Sequence, residues 1–186
     1  MAAVTCRRIK AGVRLHRIHR PHHDPIFFGP VGSEPEHRFD APAGSYKVLY
    51  AARTLETAFG ETLVRLPAIS YVTSSAVQAR VRSELITTRT LKLYPLIDAG
   101  VSALGLSFTD LHGDAYAETW KVSAHIHDTT SADGILYTSR FDNRHCIALF
   151  ERAAAALSTT EVNQIPITPA QATILAHHFG KIYVEP

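Results

Sequence analysis

The chain has 186 residues, 46% of them apolar and 19% charged, and a formal net charge of +2 at pH 7. This length predicts one globular domain, residues 1–186, with a single sizeable core. The near balance of charge gives no whole-molecule reason to expect a polyanionic partner, and no apolar run approaches the roughly 18 residues of a membrane span. Cys6 and Cys146 stand in no zinc-ligand spacing, and no signal-peptide pattern is present, which favours the reducing cytoplasm.

The first strand is predicted in a basic stretch. Residues 7–20 contain six Lys or Arg residues and no acid, and Val13 and Leu15 alternate there with basic side chains. The sequence HRIHRPHHD offers imidazoles, but the interleaved arginines repel a metal and the prolines prevent a helix from gathering the rings, so we expect no metal. A segment that binds phosphate and a basic face in solvent remain equally open interpretations.

A long loop is predicted from Arg20 to Ser45 because prolines recur throughout this segment. Loops of this length in a compact domain are usually functional or disordered. The presence of Phe27, Phe28 and Phe39 favours a functional loop.

The next segment, KVLYAA at 47–52, predicts a buried strand, and Thr54 then provides the N-cap of a helix. One side of this helix carries an apolar stripe with Leu55, Phe59, Thr62, Leu63 and Leu66.

Glu61 lies well away from that stripe, given about 100° of rotation per residue. One interpretation is an exposed glutamate in an i,i+4 pair with Arg65. However, Ala58, Gly60 and Val64 occupy the side opposite the stripe. Small and apolar residues there also fit a helix that packs against the protein on both sides. In that case the carboxylate of Glu61 would line a cleft.

The remaining elements alternate short strands with few helices. Strands are predicted at 69–73, 89–96, 134–139, 146–150 and 181–185. One helix is predicted over 114–124, with Ala117, Trp120 and Ala124 facing inward. A second begins at the Thr168 cap and ends at Gly180. This mixture predicts an α+β fold.

Ser139 and Arg140 directly follow the predicted strand GILYTS, a position from which side chains often enter a site. The competing interpretation is a turn serine that hydrogen-bonds its own backbone. The chain has no glycine-rich phosphate loop, no G-x-S-x-G elbow and no H-E-x-x-H motif, so common hydrolase and kinase chemistries are disfavoured.

Five segments taken together resemble the RES-domain family, the toxins of bacterial RES–Xre toxin–antitoxin pairs. They are RLHRIHR, HRFDAP, VLYAARTLETAFGE, GILYTSRFDN and CIALF, and the resemblance is strongest over residues 13–157. The family is named for an arginine, a glutamate and a serine, which the resemblance matches to Arg17, Glu61 and Ser139. Arg14 and Arg20 are the alternative matches for the arginine.

The resemblance also places Arg38 and Tyr50 beside these three residues. Around HRFDAP this chain departs from the common family pattern. His37 stands where many relatives carry glycine, and Asp40 stands where many carry asparagine.

The family is similar to ADP-ribosyltransferases of the diphtheria-toxin type, which implies a compact core of two small sheets, flanked by a few helices, with NAD in a cleft. The resemblance implies that Glu61 stabilises the oxocarbenium-like centre as nicotinamide leaves. It further implies that Arg17 and Arg38 bind the pyrophosphate and that Tyr50 stacks on nicotinamide. Ser139 would orient Glu61 or the ribose, and the loop phenylalanines would close over the dinucleotide.

The resemblance therefore predicts an NAD-consuming toxin, with NAD as substrate and no metal. Its expected activity is mono-ADP-ribosylation of a host protein with accompanying NAD hydrolysis. The rival is an NAD glycohydrolase or phosphorylase with no protein acceptor. The expected partner is a cognate antitoxin with an Xre-like DNA-binding domain, with no membrane and no direct nucleic-acid contact. A homodimer is the expected state of association.

An alternative from another class is a small nucleic-acid-binding module that uses the basic stretch at 7–20. A third is an interaction domain with the same fold and an inactive site.

Overall fold

The computed structural model of the protein describes residues 4–66 and 68–185, and all structural statements below refer to them. The strands are β1 Arg7–Ile9, β2 Arg14–His19, β3 Val48–Ala52, β4 Tyr71–Thr73, β5 Val81–Thr87, β6 Leu91–Leu96, β7 Gly134–Thr138, β8 His145–Phe150, β9 Leu157–Thr159, β10 Ile165–Pro166 and β11 Ile182–Val184. The helices are α1 Leu55–Leu63, α2 Ser74–Gln78, α3 Ala99–Ser102, α4 Phe108–His112, α5 Ala117–Thr129 and α6 Pro169–His178, with a 3₁₀ helix at Glu151–Ala156.

The strands divide unequally between two sheets. Nine belong to one sheet in the order β1-β6-β7-β8-β3-β2-β5-β10, with β9 pairing β5, and β4 and β11 form a second, two-stranded sheet. Within the large sheet β6 and β7 are parallel and the other pairs antiparallel. The predicted α+β class is confirmed.

Strand β3 lies near the middle of the large sheet and is buried on both faces. Val48 and Ala52 belong to the apolar cluster on one face, whereas Leu49 and Ala51 belong to the cluster on the other. A strand that is buried on both faces has consecutive apolar residues in its sequence. The apolar run KVLYAA therefore predicted β3 correctly.

Helix α1 begins where the Thr54 cap predicted. The Thr54 Oγ1 accepts a hydrogen bond from the backbone N–H of Thr57 at 3.2 Å. Ala58, Gly60 and Val64 are buried, so the helix is covered on both sides. Leu66 was wrongly assigned to the apolar stripe: α1 ends three residues earlier and the residue is 65% exposed.

The predicted inward face of α5 is wrong. Its buried residues are Thr119, Ser123 and Ile126, not Ala117, Trp120 and Ala124. Ser123 is buried because its hydroxyl donates to the carbonyl of Phe39 at 2.6 Å and accepts from the hydroxyl of Tyr46 at 2.7 Å. Two of the three inward side chains are polar, so the buried face does not appear as apolar residues at helical spacing, which is the signal that the prediction used.

Strand β5 was not predicted, for a similar reason. Two of its four buried positions are polar, Ser83 and Thr87, so its alternation is not one of apolar residues. By contrast, residues 20–47 contain no strand or helix apart from an isolated bridge between Gly29 and Val48, as the prediction of a long loop requires. No helix in the described part of the chain is long and apolar enough to cross a membrane.

The capping of α1 gives a test of local stability. We expect Thr54→Ala to lower the free energy of unfolding by about 1 kcal/mol, because the N–H of Thr57 loses its acceptor. Thr54→Ser keeps the acceptor and should stay within about 0.5 kcal/mol of the parent protein. Urea unfolding measures both, and an alanine variant as stable as the parent would show that the cap contributes nothing.

Candidate active site

A cleft of about 470 Å³ opens between α1, strands β2 and β3 and the loop at 20–47. This volume is typical of small-molecule sites. Four predicted site residues line it: Arg17, Arg38, Tyr50 and Glu61. The fifth, Ser139, is 0% exposed and lies in contact with Glu61.

Glu61 projects from α1 toward the turn that follows β7. The hydroxyl of Ser139 donates a hydrogen bond to its carboxylate and itself accepts one from the N–H of Phe141 at 3.2 Å. Because the hydroxyl has one donor hydrogen, the Phe141 contact leaves that hydrogen for Glu61. Ser139 therefore makes the hydrogen bond of a turn serine and also lies against Glu61.

A second contact ties the same face of α1 to the same turn. Thr57, one helical turn before Glu61, donates from its Oγ1 to the Oδ2 of Asp142 at 2.7 Å. The Oδ1 of Asp142 accepts from the N–H of Arg144 at 3.1 Å. Two anchor points on one helix face limit the movement of Glu61 relative to Ser139.

Burial raises the pKa of Glu61 above its ordinary value, and the charge of Asp142 adds to this rise. The hydrogen bond from Ser139 and the charges of Arg38 and Arg140 oppose it. No ion pair joins Glu61 to Arg65 among the described residues. The structure thus favours the cleft over the surface pair.

The two arginines whose charges act on Glu61 both bind the segment at the end of α4, and Arg140 also donates to the carbonyl of Arg65 at 3.1 Å. Arg38 Nη1 donates to the carbonyl of Gly113 at 3.2 Å. Arg140 Nη1 donates to the carbonyl of His112 at 3.1 Å and to the Oδ1 of Asp114 at 2.7 Å. Arg140 lines the cleft but was not predicted as a site residue, although it follows Ser139 directly.

The loop that carries Arg38 is fixed by a buried carboxylate. Asp40 Oδ2 accepts from the backbone N–H groups of Glu36 and His37 at 2.9 and 2.7 Å, and its Oδ1 accepts from the hydroxyl of Tyr50 at 2.9 Å. The same hydroxyl accepts from the N–H of Phe39 at 2.8 Å. Burial, with the charge of Asp40, raises the pKa of Tyr50 well above its ordinary value.

Arg17 is placed differently from Arg38. Side chains alternate along a strand, so Arg17 shares the face of Leu15, whose apolar cluster is not the one beneath α1. Its Nη1 donates to the carbonyls of Pro25 and Phe27, both at 2.8 Å. Desolvation lowers the pKa of Arg17 to about 10. Arg17 therefore anchors the start of the long loop.

The three loop phenylalanines have separate positions. Phe27 lines the cleft and stacks on His23, with ring centroids 4.2 Å apart. Phe39 is fully buried in the cluster beneath α1, and Phe28 packs against the opposite cluster. Of the three, Phe27 is the one placed to contact a ligand.

Comparison with known proteins settles the family. The RES domain profile matches residues 14–170. The chain belongs to the RES-domain family. No curated protein sequence matches it. One chain of the crystal structure of the M. tuberculosis MbcT–MbcA toxin–antitoxin complex has a similar fold, with a TM-score of 0.70 and 16% identity over 93% of this chain and 91% of that one.

The histidines of this RES domain do not gather into a metal site. Among the described residues no group of three or more His, Cys, Asp or Glu side chains is arranged to hold a metal ion. His19 instead contacts the Ser83 hydroxyl through its Nε2 at 2.9 Å. Cys6 and Cys146 are both free thiols.

The raised pKa of Glu61 predicts how stability depends on pH. A folded-state pKa above the unfolded value of about 4.3 adds stability below that value, and this contribution is lost as pH rises through the folded pKa. Glu61→Gln removes the titration. We expect this variant to be at least as stable as the parent RES domain at pH 7, with the difference shrinking as the pH falls toward about 4.

Thermal unfolding across this pH range measures the effect. Glu56→Gln is the matched control, because Glu56 lies on the same helix and does not line the cleft. A Glu61→Gln variant less stable than the parent at pH 7 would show that Arg38 and Arg140 outweigh burial.

Proposed function

We propose that this RES domain is an NAD-consuming toxin that cleaves the bond between nicotinamide and ribose. The observation that carries the proposal is the Glu61 carboxylate, held by Ser139 and bordered by Arg38 and Arg140 in a cleft. The fold similarity to a chain of a toxin–antitoxin complex supports the toxin role.

The chemistry needs a fixed negative charge beside the ribose. As neutral nicotinamide leaves, positive charge grows on C1′, and the attraction to a nearby carboxylate grows with it. Such an interaction stabilises the transition state more than the bound substrate. Glu61 would also accept a hydrogen bond from the 2′-hydroxyl.

The charges of the cleft suit an anionic substrate. Six arginines line it, against two acids, Glu36 and Glu61. The arginines are Arg17, Arg20, Arg38, Arg65, Arg80 and Arg140. Guanidinium groups bind phosphate oxygens through paired hydrogen bonds, so this lining favours a ligand with a pyrophosphate.

Individual roles follow from the contacts. Arg38 is the arginine proposed for the pyrophosphate on the Glu61 side of the cleft. The ring of Tyr50 lines the cleft and is proposed to stack on nicotinamide, while its hydroxyl holds the loop. Ser139 is a positioning residue that acts through Glu61. A direct contact of Arg17 with the substrate stays a prediction. The hydrogen bonds of Arg17 favour a role in supporting the loop that lines the cleft.

The acceptor distinguishes the two forms of the proposal. The first is mono-ADP-ribosylation of a host protein with accompanying NAD hydrolysis. The second is glycohydrolysis or phosphorolysis, in which water or phosphate takes the ADP-ribosyl group. Both use the same bond cleavage at Glu61.

A cognate antitoxin is the proposed partner, because the fold neighbour comes from a toxin–antitoxin complex. An Xre-like DNA-binding domain in that antitoxin, a cytoplasmic location and a homodimer stay predictions.

The nucleic-acid alternative has less support because the fold divides the basic stretch. Strand β1, with Arg7 and Arg8, is the edge strand of the large sheet next to β6, whereas β2 lies near the opposite edge. Arg14 pairs with Glu84 at 3.2 Å, and Arg17 bonds to loop carbonyls. The stretch therefore offers no continuous cationic face.

Nicotinamide release from NAD by the purified protein tests the mechanism. We expect Glu61→Gln to lower the rate by about 100-fold or more, because it removes the charge that stabilises the transition state. Glu56→Gln is the control and should keep the parent rate. Equal rates for Glu61→Gln and the parent would contradict the proposal. The same assay with added phosphate, and with a lysate and labelled NAD, identifies the acceptor.

Ser139 offers a separate test through pH. The Ser139 hydrogen bond lowers the pKa of Glu61, so its removal raises that pKa further. Because the carboxylate form is the active one, we expect Ser139→Ala to move the acid limb of the kcat/KM profile to higher pH. A lowered rate with an unmoved acid limb would contradict the proposed action through Glu61.

A further inference from the structure

Two arginines of the cleft lie beside one another at its β2–β5 side. Strands β2 and β5 are antiparallel, and their last paired residues are His19 and Val81. Arg20 directly follows β2 and Arg80 directly precedes β5, so both stand next to this last pair, where the two strand ends adjoin. Both line the cleft.

The two arginines line the same cleft as Glu61. Ile18, two residues before Arg20, belongs to the apolar cluster that packs beneath α1 and also lines this cleft. Arg20 and Arg80 therefore border the space that Glu61 faces, whereas Arg17 anchors the loop.

Neither arginine is in an ion pair with an acidic residue in the part of the chain that the structure describes. The side chain of Arg80 bonds a carbonyl, that of Ala79, at 3.0 Å. Burial lowers the pKa of Arg80, and the neighbouring charge of Arg20 lowers it further. Two like charges are thus held together without neutralisation.

The groups around Arg20 and Arg80 leave the local charge positive. His22 and His23 also line the cleft, and desolvation, the neighbouring His22 and the charges of Arg17 and Arg20 lower the pKa of His23. Glu36 also lines the cleft and acts on His23, but lies in no ion pair among the described residues. The backbone of Arg20 is held in place, because its carbonyl contacts the His19 ring at 3.0 Å and accepts from the N–H of His23 at 3.1 Å.

We propose that Arg20 and Arg80 form a phosphate-binding site of the cleft. Two guanidinium groups at the adjoining ends of neighbouring strands match the oxygens of a phosphate, which would remove their mutual repulsion. The proposal rests on the proposed function for the identity of the ligand. The phosphate belongs either to the dinucleotide substrate or to free inorganic phosphate.

Calorimetric titration of the purified protein with ADP, and separately with inorganic phosphate, tests the site. The variant is Arg20→Gln with Arg80→Gln, and the control is Arg53→Gln, which removes one charge from an exposed residue outside the cleft. We expect the double variant to bind at least one probe about tenfold or more weakly, because charge-assisted hydrogen bonds to phosphate are lost, and the control to bind as the parent does.

Comparison of the two probes shows whether the site binds the phosphate of the dinucleotide or free inorganic phosphate. A loss confined to ADP assigns the site to the dinucleotide, and a loss confined to inorganic phosphate assigns it to the free ion. Unchanged binding of both probes, or no binding of either to the parent, overturns the proposal. Thermal unfolding checks that the double variant is folded, and Arg80→Gln alone replaces it otherwise.

The titrations need no turnover, so they are independent of the proposed reaction. If the parent releases no nicotinamide yet binds ADP through this pair, the proposed function fails and the phosphate site stands. If nicotinamide release depends on Glu61 but the double variant binds ADP and phosphate as the parent does, the proposed function stands and the phosphate site fails.

Discussion

The buried carboxylate of Asp40 is the interaction on which the arrangement of the site depends. It is 0% exposed and accepts hydrogen bonds from two backbone N–H groups of its own loop and from the hydroxyl of Tyr50. Tyr50 belongs to β3, a strand covered on both faces, so the loop is attached to the interior of the sheet. Arg38 lies between the attachment points. Its position relative to Glu61 follows from Asp40.

The cleft keeps its positive charge because its arginines are positioned mainly by carbonyl oxygens. Arg17 contacts two carbonyls, Arg38 contacts one, and Arg80 contacts one. A carbonyl directs a guanidinium without neutralising it, which leaves the charge for a ligand. Arg140 differs because it also pairs with Asp114, but that side chain is 88% exposed and its charge is screened by solvent.

Local signals predicted the part of the fold that carries Glu61. The apolar run of β3 and the cap at Thr54 both depend on neighbours in sequence, and both were confirmed. The inward face of α5 and the strand β5 were not found, because their buried polar side chains are satisfied by distant residues. Contacts such as Arg140 with the segment after α4 depend on which loops meet in space. Periodicity along the chain carries no such information.

Asp40 shows what a family pattern can and cannot predict. Many relatives carry asparagine there, and the sequence alone offers no reason for the aspartate of this chain. Here three donors converge on the side chain. A carboxylate accepts at both oxygens, whereas an asparagine accepts at its oxygen and donates from its amide nitrogen. An asparagine oxygen in place of Oδ2 keeps the bonds from Glu36 and His37, and its nitrogen then donates to the Tyr50 hydroxyl, whose oxygen has a second lone pair. The aspartate of this chain therefore reverses the direction of one hydrogen bond and adds a buried negative charge, and it does not by itself require a different loop.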